Sequence, residues 1–394
     1  MGLKIDINKL RLMPEGVNFG FCVYGEPSLE IKKWSQSWGF RIEKSNSGYY
    51  NILVPINFDI SECFIEPKKI DYVDGFSPNL NKHLHIGHMS NFIIAKAFQS
   101  IGIGERYISI LGDTLKGDVE KEEALKMYNM YCDIFGLNIS KIFFASKVEY
   151  YGDKLKDGSL DYKGTKIFDL GDKKIVGIKS DGSTSYFYQD VCLAENLGGS
   201  ILYLTGNEQN NHFNSLKKMY PETQHIGLGL VRLKEKMCSR KGNVIYFEEL
   251  LKKCLSLFNN DLELSYNVLA GFILKIEPKK DKIIKEDYLE NPKNSPGLYL
   301  SYTLARLTSA GVKGYKVDDK FNSTYLQFKY MKAVYNMQPN ILFNALVEHC
   351  KNINNLYSKH KIEGNPENEV MFSNLKEDLE LGMKRLGLFL VDKV

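Results

Sequence analysis

The chain has 394 residues, 43% of them hydrophobic, enough to bury more than one core, and this points to two or three domains. Fifty-two basic and 48 acidic residues leave a formal net charge of +4, too small to establish a nucleic-acid partner, although a chain of this size has room for one basic face. Seven cysteines, at positions 22, 63, 132, 192, 238, 254 and 350, are odd in number, scattered and without a C-x-x-C pair, so they signal neither a disulfide framework nor a cysteine zinc site. A reducing, cytoplasmic setting is expected. No run of about 18 uncharged apolar residues occurs, and residues 1–16 lack a signal-peptide stretch, so no membrane association is expected.

Residues 1–68 mix short alternating runs (Val17 to Tyr24, Tyr49 to Pro55) with turn residues such as Asn46-Ser47-Gly48, the pattern of a small α+β appendage. From Lys69 the texture changes. Apolar strands at Ile70 to Val73 and Tyr107 to Leu111 are each followed by a helical segment, Gly87 to Ile101 and Glu120 to Phe135, and such alternation predicts a parallel sheet with crossover connections. Polar, Gly- and Lys-rich patches between residues 139 and 180 read as an insertion in that sheet. The pattern then resumes with a buried strand at Ser200 to Leu204, a helix over His212 to Met219 and a strand near Gln224 to Leu230. After about Tyr246 the chain reads as helical, with Leu375, Leu379, Met383 and Leu386 at helical spacing. The expected fold is α/β: a small appendage over 1–68, a Rossmann-like parallel-sheet domain over 69–250 with an insertion at 139–180, and an α-helical bundle over 251–394.

Four segments carry chemistry. Phe76 to His88 (F-S-P-N-L-N-K-H-L-H-I-G-H) lies between a predicted strand and a helix, at the carboxyl edge where open parallel sheets bind ligands. Gly87 permits close approach of a nucleotide, the helix start points amides at negative charge, and His85 and His88 at i and i+3 can sit together over a triphosphate. The same histidines could act as helix caps, or with His83 as metal ligands, but no cysteine or carboxylate nearby completes a zinc shell. The second segment, Ser180 to Asp190, places Tyr186 and Asp190 one helical turn apart. A carboxylate with a phenol suits a guanidinium, whose planar donors a carboxylate meets bidentately, although for this segment alone a solvated helix start is the commoner reading. Third, Gly206 to Phe213 (G-N-E-Q-N-N-H-F) follows the buried strand, where Glu208 can accept from ribose or amine groups and Gln209 can donate. Fourth, Lys236, Arg240 and Lys241 in Lys236 to Val244 (K-M-C-S-R-K-G-N-V) can neutralise a leaving pyrophosphate.

Together these strings resemble the signatures of class I aminoacyl-tRNA synthetases of the arginyl type. S-P-N-x-x-K-x-x-H-I-G-H resembles the HIGH motif with its arginyl-type Ser-Pro-Asn and upstream lysine. Tyr186 and Asp190 match Y-x-T-R-D, in which Tyr188 and Gln189 replace Thr and Arg. The third segment matches G-x-E-Q-x-x-H-F, and the fourth is similar to a degenerate KMSKS motif with Cys238 for the first Ser and Ser239 for the central lysine. In the family, the lysine upstream of HIGH compensates for that loss, and Lys82 is present. Gly297 to Arg306 resembles the opening of the family's anticodon-binding domain.

The resemblance implies ATP-dependent activation of arginine to arginyl-adenylate and transfer to the 3′ end of arginine tRNA. Catalytic roles would fall on His85, His88, Lys82, Lys236 and Lys241. ATP would be held by Gly87, Gly206, Glu208, His212 and Arg240, and arginine by Asp74, Ser77, Asn79, Tyr186, Asp190 and Gln209. At Asp74 the family usually has Glu for the α-amino group. Tyr299, Tyr302 and Arg306 are candidates for contact with tRNA, although an aromatic stripe at helical spacing serves a core equally well. Magnesium would enter with ATP, without a dedicated protein site, and the expected state is a monomer. Two alternatives are a paralogue that activates arginine or an analogue for a peptide or metabolite acceptor, and a non-catalytic tRNA-binding regulator.

Overall fold

A computed structural model describes residues 2–13, 20–55, 58–113, 120–147, 160–162, 164–233, 246–284, 294–314 and 320–394. It separates into two units, one joining Met1–Lys68 with Pro296–Val394 and the other holding Lys69–Ser295.

In the first unit, strands β1 (Arg11–Leu12), β2 (Gly20–Tyr24), β3 (Arg41–Lys44) and β4 (Tyr49–Leu53) form an antiparallel sheet in the order β1-β2-β4-β3. Helix α1 (Leu29–Ser37) starts at Ser28, whose hydroxyl accepts from the Ile31 amide and so satisfies one of the free donors of the first turn. It buries Ile31 and Trp34. The Trp34 indole donates to the Cys63 carbonyl at 2.9 Å, so even the polar edge of this ring is satisfied inside the core.

The second unit carries β5 (Tyr72–Asp74), α2 (Ile86–Ser100), β6 (Arg106–Leu111), α3 (Lys121–Phe135), β7 (Lys141–Phe144), β8 (Leu160–Tyr162), β9 (Thr165–Asp169) and β10 (Lys174–Ile178). It continues with α4 (Tyr186–Leu197), β11 (Ile201–Gly206), α5 (Asn210–Met219), β12 (Thr223–Leu228), β13 (Val231–Leu233), α6 (Phe247–Leu257), α7 (Leu262–Leu274) and β14 (Lys282–Ile284). The main sheet is parallel, with spatial order β12-β11-β5-β6-β7. The chain winds outward from β5 to β7, then returns to the other side of β5 with β11 and β12. That is the doubly wound arrangement, and its topological switch point lies between β5 and β11. Ile201 to Leu204 are all buried, as a central strand covered on both faces requires.

The parallel sheet and the helical tail agree with the sequence reading, and strand and helix ends fall within a few residues of those expected. Two boundaries differ. Lys141–Phe144 pairs with β6 as an edge strand of the main sheet, so what is inserted is the antiparallel β10-β9-β8 sheet that follows. The helices after residue 250 also begin inside the sheet unit. Phe247 of α6 stacks on Tyr131 at 4.7 Å, and Tyr266 of α7 packs on Phe135 at 5.0 Å, so α6 and α7 pack with α2 and α3.

The first unit is completed by α8 (Pro296–Ser309), α9 (Thr324–Asn336), α10 (Pro339–Tyr357) and α11 (Pro366–Arg385), with α10 packed against the other three. Phe328 of α9 enters the core of the 1–68 segment, where its ring lies 5.2 Å from Phe21 and 5.7 Å from Phe64. That segment is therefore no free-standing appendage, since its core is closed by a helix from the far end of the chain.

Candidate active site at the switch point

The loop leaving β5 is tied down before it reaches the histidines. Asp74 is 4% exposed, and its carboxyl accepts from the Ser77 hydroxyl, which in turn accepts from the Ile110 amide at 2.7 Å. Burial, together with the nearby Asp190 carboxylate, pushes Asp74 up to about 7 despite the Ser77 bond. Asp74 and Ser77 thus fasten the loop to β6, and neither presents a free side chain to solvent. Asn79 is exposed, and its backbone bridges to Gly112, where an added Cβ would fall inside the Asn79 side chain. Gly112 lets the two strand ends approach.

The histidines cap α2 themselves. His85 Nδ1 accepts from the Gly87 amide at 3.0 Å, and His88 Nδ1 accepts from the His85 amide at 3.2 Å, which forms a reciprocal capping box. The two rings stack at 3.9 Å. This changes one expectation, because the Gly87 amide expected to face a ligand is taken by His85. It also sets the tautomer: with Nδ1 accepting, the neutral ring carries its proton on Nε2, which is left as a donor. Burial, reinforced by His85 and Lys82, pushes His88 down to about 3, and burial with Lys82 lowers His85. Both rings are therefore neutral donors beside an exposed Lys82. Gly87 is required here because a Cβ would meet the His85 ring at 2.8 Å. His83 packs edge-on against Tyr246 at 5.4 Å.

Across the switch point, Ser185 caps α4 by accepting from the Tyr188 amide. Tyr186 is 57% exposed, and Asp190 lies one turn further on. The Asp190 carboxylate is 2.6 Å from His212 Nε2 on α5. His212 had been expected at the nucleotide. Gln189 is buried and donates to Thr184, while Tyr188 packs against Phe168. Gly206 ends β11, and Glu208 and Gln209 are exposed in the single turn that follows.

One residue was missed in the sequence. Tyr203 is wholly buried, in register with Asp74 on β5 and His225 on β12. Its hydroxyl has no hydrogen-bond partner among the described residues, and the Asp74 and Asp190 carboxylates both act on it. Only cross-strand register, which a single strand's pattern does not carry, could have revealed it. In the bundle, Tyr302 is 50% exposed. Tyr299 and Arg306 are engaged internally: Asn354 donates to the Tyr299 hydroxyl, while Arg306 donates to Asn354 and lies 4.0 Å over the Tyr357 ring. Lys236, Arg240 and Lys241 lie outside the described residues.

No family model matches the chain. Among curated proteins it is 26% identical over 237 residues to the arginine–tRNA ligase of Lactobacillus acidophilus, covering 52% of this chain and 42% of that protein. It is 25% identical over 308 residues to the arginine–tRNA ligase of Clostridium acetobutylicum, covering 66% of this chain and 54% of that one. The chain spans about half the length of these relatives. The solved arginyl-tRNA synthetase of Thermus thermophilus shares the fold with a TM-score of 0.63 at 14% identity, over 96% of this chain and 97% of that one. That of Plasmodium falciparum gives 0.61 at 16% identity, over 97% and 96%. The fold is thus the one seen in solved arginyl-tRNA synthetases. In sequence the chain is similar to arginine–tRNA ligases, so the resemblance seen in its motifs is borne out.

Proposed function

We propose that the protein uses ATP to convert arginine to arginyl-adenylate and passes the arginyl group to the terminal ribose of arginine tRNA. The observation that carries this reading is the pairing of two neutral Nε2–H donors beside Lys82, at the start of the helix that follows β5, with Tyr186 and Asp190 on the helix that leads into the neighbouring strand β11. An arginine carboxylate oxygen attacks the α-phosphorus, and the bond to pyrophosphate breaks. The ribose hydroxyl then attacks the activated carbonyl and AMP leaves. Catalysis is positioning and charge stabilisation, without a covalent enzyme intermediate.

In this reading His85 and His88 donate to phosphate oxygens as charge builds on the leaving pyrophosphate. Lys82 adds a positive charge, as do Lys236, Arg240 and Lys241 by their motif. Gly87, Gly206 and Glu208 accommodate the nucleoside, Asn79 and Gln209 orient arginine, and Asp190 with Tyr186 receives the guanidinium. Magnesium, carried in with the triphosphate, supplies further charge neutralisation. Among the described residues of the helical tail, Tyr302, half exposed, is the aromatic side chain open to stack on an unpaired base.

The test is incubation with ATP, labelled arginine and total tRNA, reading acid-precipitable charging and tRNA-dependent pyrophosphate exchange. Both signals are expected. Neither appearing would sink the proposal, and exchange without charging would point to a different acceptor.

A further inference from the structure

We propose that Tyr246 is a positioning residue for the phosphate-binding histidines, clamping residues 83–85 through its ring at one end and through backbone contacts at the other. This rests on the reading above, in which His85 and His88 donate to the phosphates of ATP.

The clamp joins parts of the chain that are distant in sequence. Tyr246 forms an isolated antiparallel bridge with His85, and the amide of Phe247 donates to the Leu84 carbonyl at 2.8 Å. The Tyr246 ring meets the His83 ring edge-on at 5.4 Å. Each of residues 83–85 is thus held from residues 246 and 247. The holder is itself anchored. Phe247 is 2% exposed and stacks on Tyr131 of α3 at 4.7 Å, while the Tyr246 amide donates to the Glu249 carboxylate at 3.3 Å in the first turn of α6. Tyr246 is 37% exposed, so its contact with His83 is not a by-product of core packing.

His85 caps α2 with its own Nδ1, so the direction of Nε2 follows the backbone at residues 84 and 85, which is what the bridge fixes. Lys82 adjoins His83, so the ring contact steadies the start of the stretch that brings an ammonium to the same phosphates. Tyr246 also stands just beyond the fourth segment, which ends at Val244. The stretch of sequence that carries Lys236, Arg240 and Lys241 is therefore followed at once by a point bonded to the histidine loop. One fixed point serves both segments assigned to the phosphates. Donors that stabilise developing charge lose effect when displaced by about 1 Å, and a loosened clamp would displace them.

The experiment measures arginine-dependent pyrophosphate exchange, with tRNA present, for the full chain and for Tyr246→Ala, Tyr246→Phe, His83→Ala and the double variant Tyr246→Ala with His83→Ala. Tyr246→Ala keeps the backbone contacts and loses the ring, so kcat should fall about 10- to 100-fold while the KM for arginine stays nearly unchanged. Tyr246→Phe keeps the ring and should restore the rate. His83→Ala should show a similar loss, and the double variant should lose no more than either alone, because all three remove one contact. Losses that multiply, an unchanged kcat in Tyr246→Ala, or a Tyr246→Phe as slow as the alanine variant would overturn the inference. A second readout needs no activity: the ring nitrogens of His85 in the free protein should lose their single Nε2-protonated signature in Tyr246→Ala and keep it in Tyr246→Phe. If the unmodified protein shows no exchange, arginine activation falls, and the His85 signature still decides this inference, since an unaltered signature in Tyr246→Ala would overturn it.

Discussion

His85 and His88 are bases that the fold keeps uncharged, and their usefulness comes from where the one remaining proton points. Each ring has its Nδ1 tied to its own helix start, so the orientation of Nε2 depends on the capping geometry. Gly87→Ala would press a methyl group into the His85 ring and swing it off that line. A misplacement of this size costs about 100-fold in rate, and pyrophosphate exchange should show that loss with little change in melting temperature. Asp190→Asn removes the charge from the guanidinium contact, which is worth about 1.5–3 kcal/mol for a charged hydrogen bond. The Michaelis constant for arginine should therefore rise roughly 10- to 100-fold while that for ATP stays nearly unchanged, and equal losses would contradict the assignment. At this scale the sequence was partly legible. The identities of His85, His88 and Asp190 stood out from their spacing, but the pairing of Asp190 with His212 joins two helices whose faces no motif compares.

The elements of the sheet unit were readable because each is amphipathic or fully buried over its own length. The edge strand Lys141–Phe144 was not, since it is short, half-exposed and followed by the polar run that looked like an insertion. Helix α2 hides a different surprise. Lys96 is 6% exposed, with its ammonium 4.4 Å over the Tyr266 ring of α7, and burial pulls it down to about 7 against the weaker opposing effect of Glu263. A lysine lowered in the native state holds fewer protons there than in the unfolded chain. The destabilisation is thus fully present below about 7 and is relieved as pH rises toward the ordinary lysine value of about 10.5. Lys96→Met, which keeps the stem and removes the charge, should stabilise the protein at pH 7 by about 1–4 kcal/mol. It should also flatten the alkaline rise in stability, as measured by denaturant melts across that range.

At the scale of the whole molecule, local pattern fails where partners are distant in the chain. Residues 1–68 read as a separate small domain, because nothing in Phe21, Trp34 or Phe64 says that the missing wall of their core is Phe328. The composition of the helical tail, in turn, left its boundary near 250 although Pro296 is where its unit begins. Phe328→Ala should cost about 3–5 kcal/mol and loosen the N-terminal strands together with the helices, which hydrogen exchange would detect in both segments at once. Protection lost in only one segment would argue against a shared core. The same arrangement bears on how the protein is made. Phe64 leaves the ribosome long before Phe328, and at about 5–20 residues per second the interval is on the order of tens of seconds. During that time the nascent N-terminal sheet carries an uncovered aromatic face, a natural client for holding chaperones, while the sheet unit between them can complete its own core without waiting.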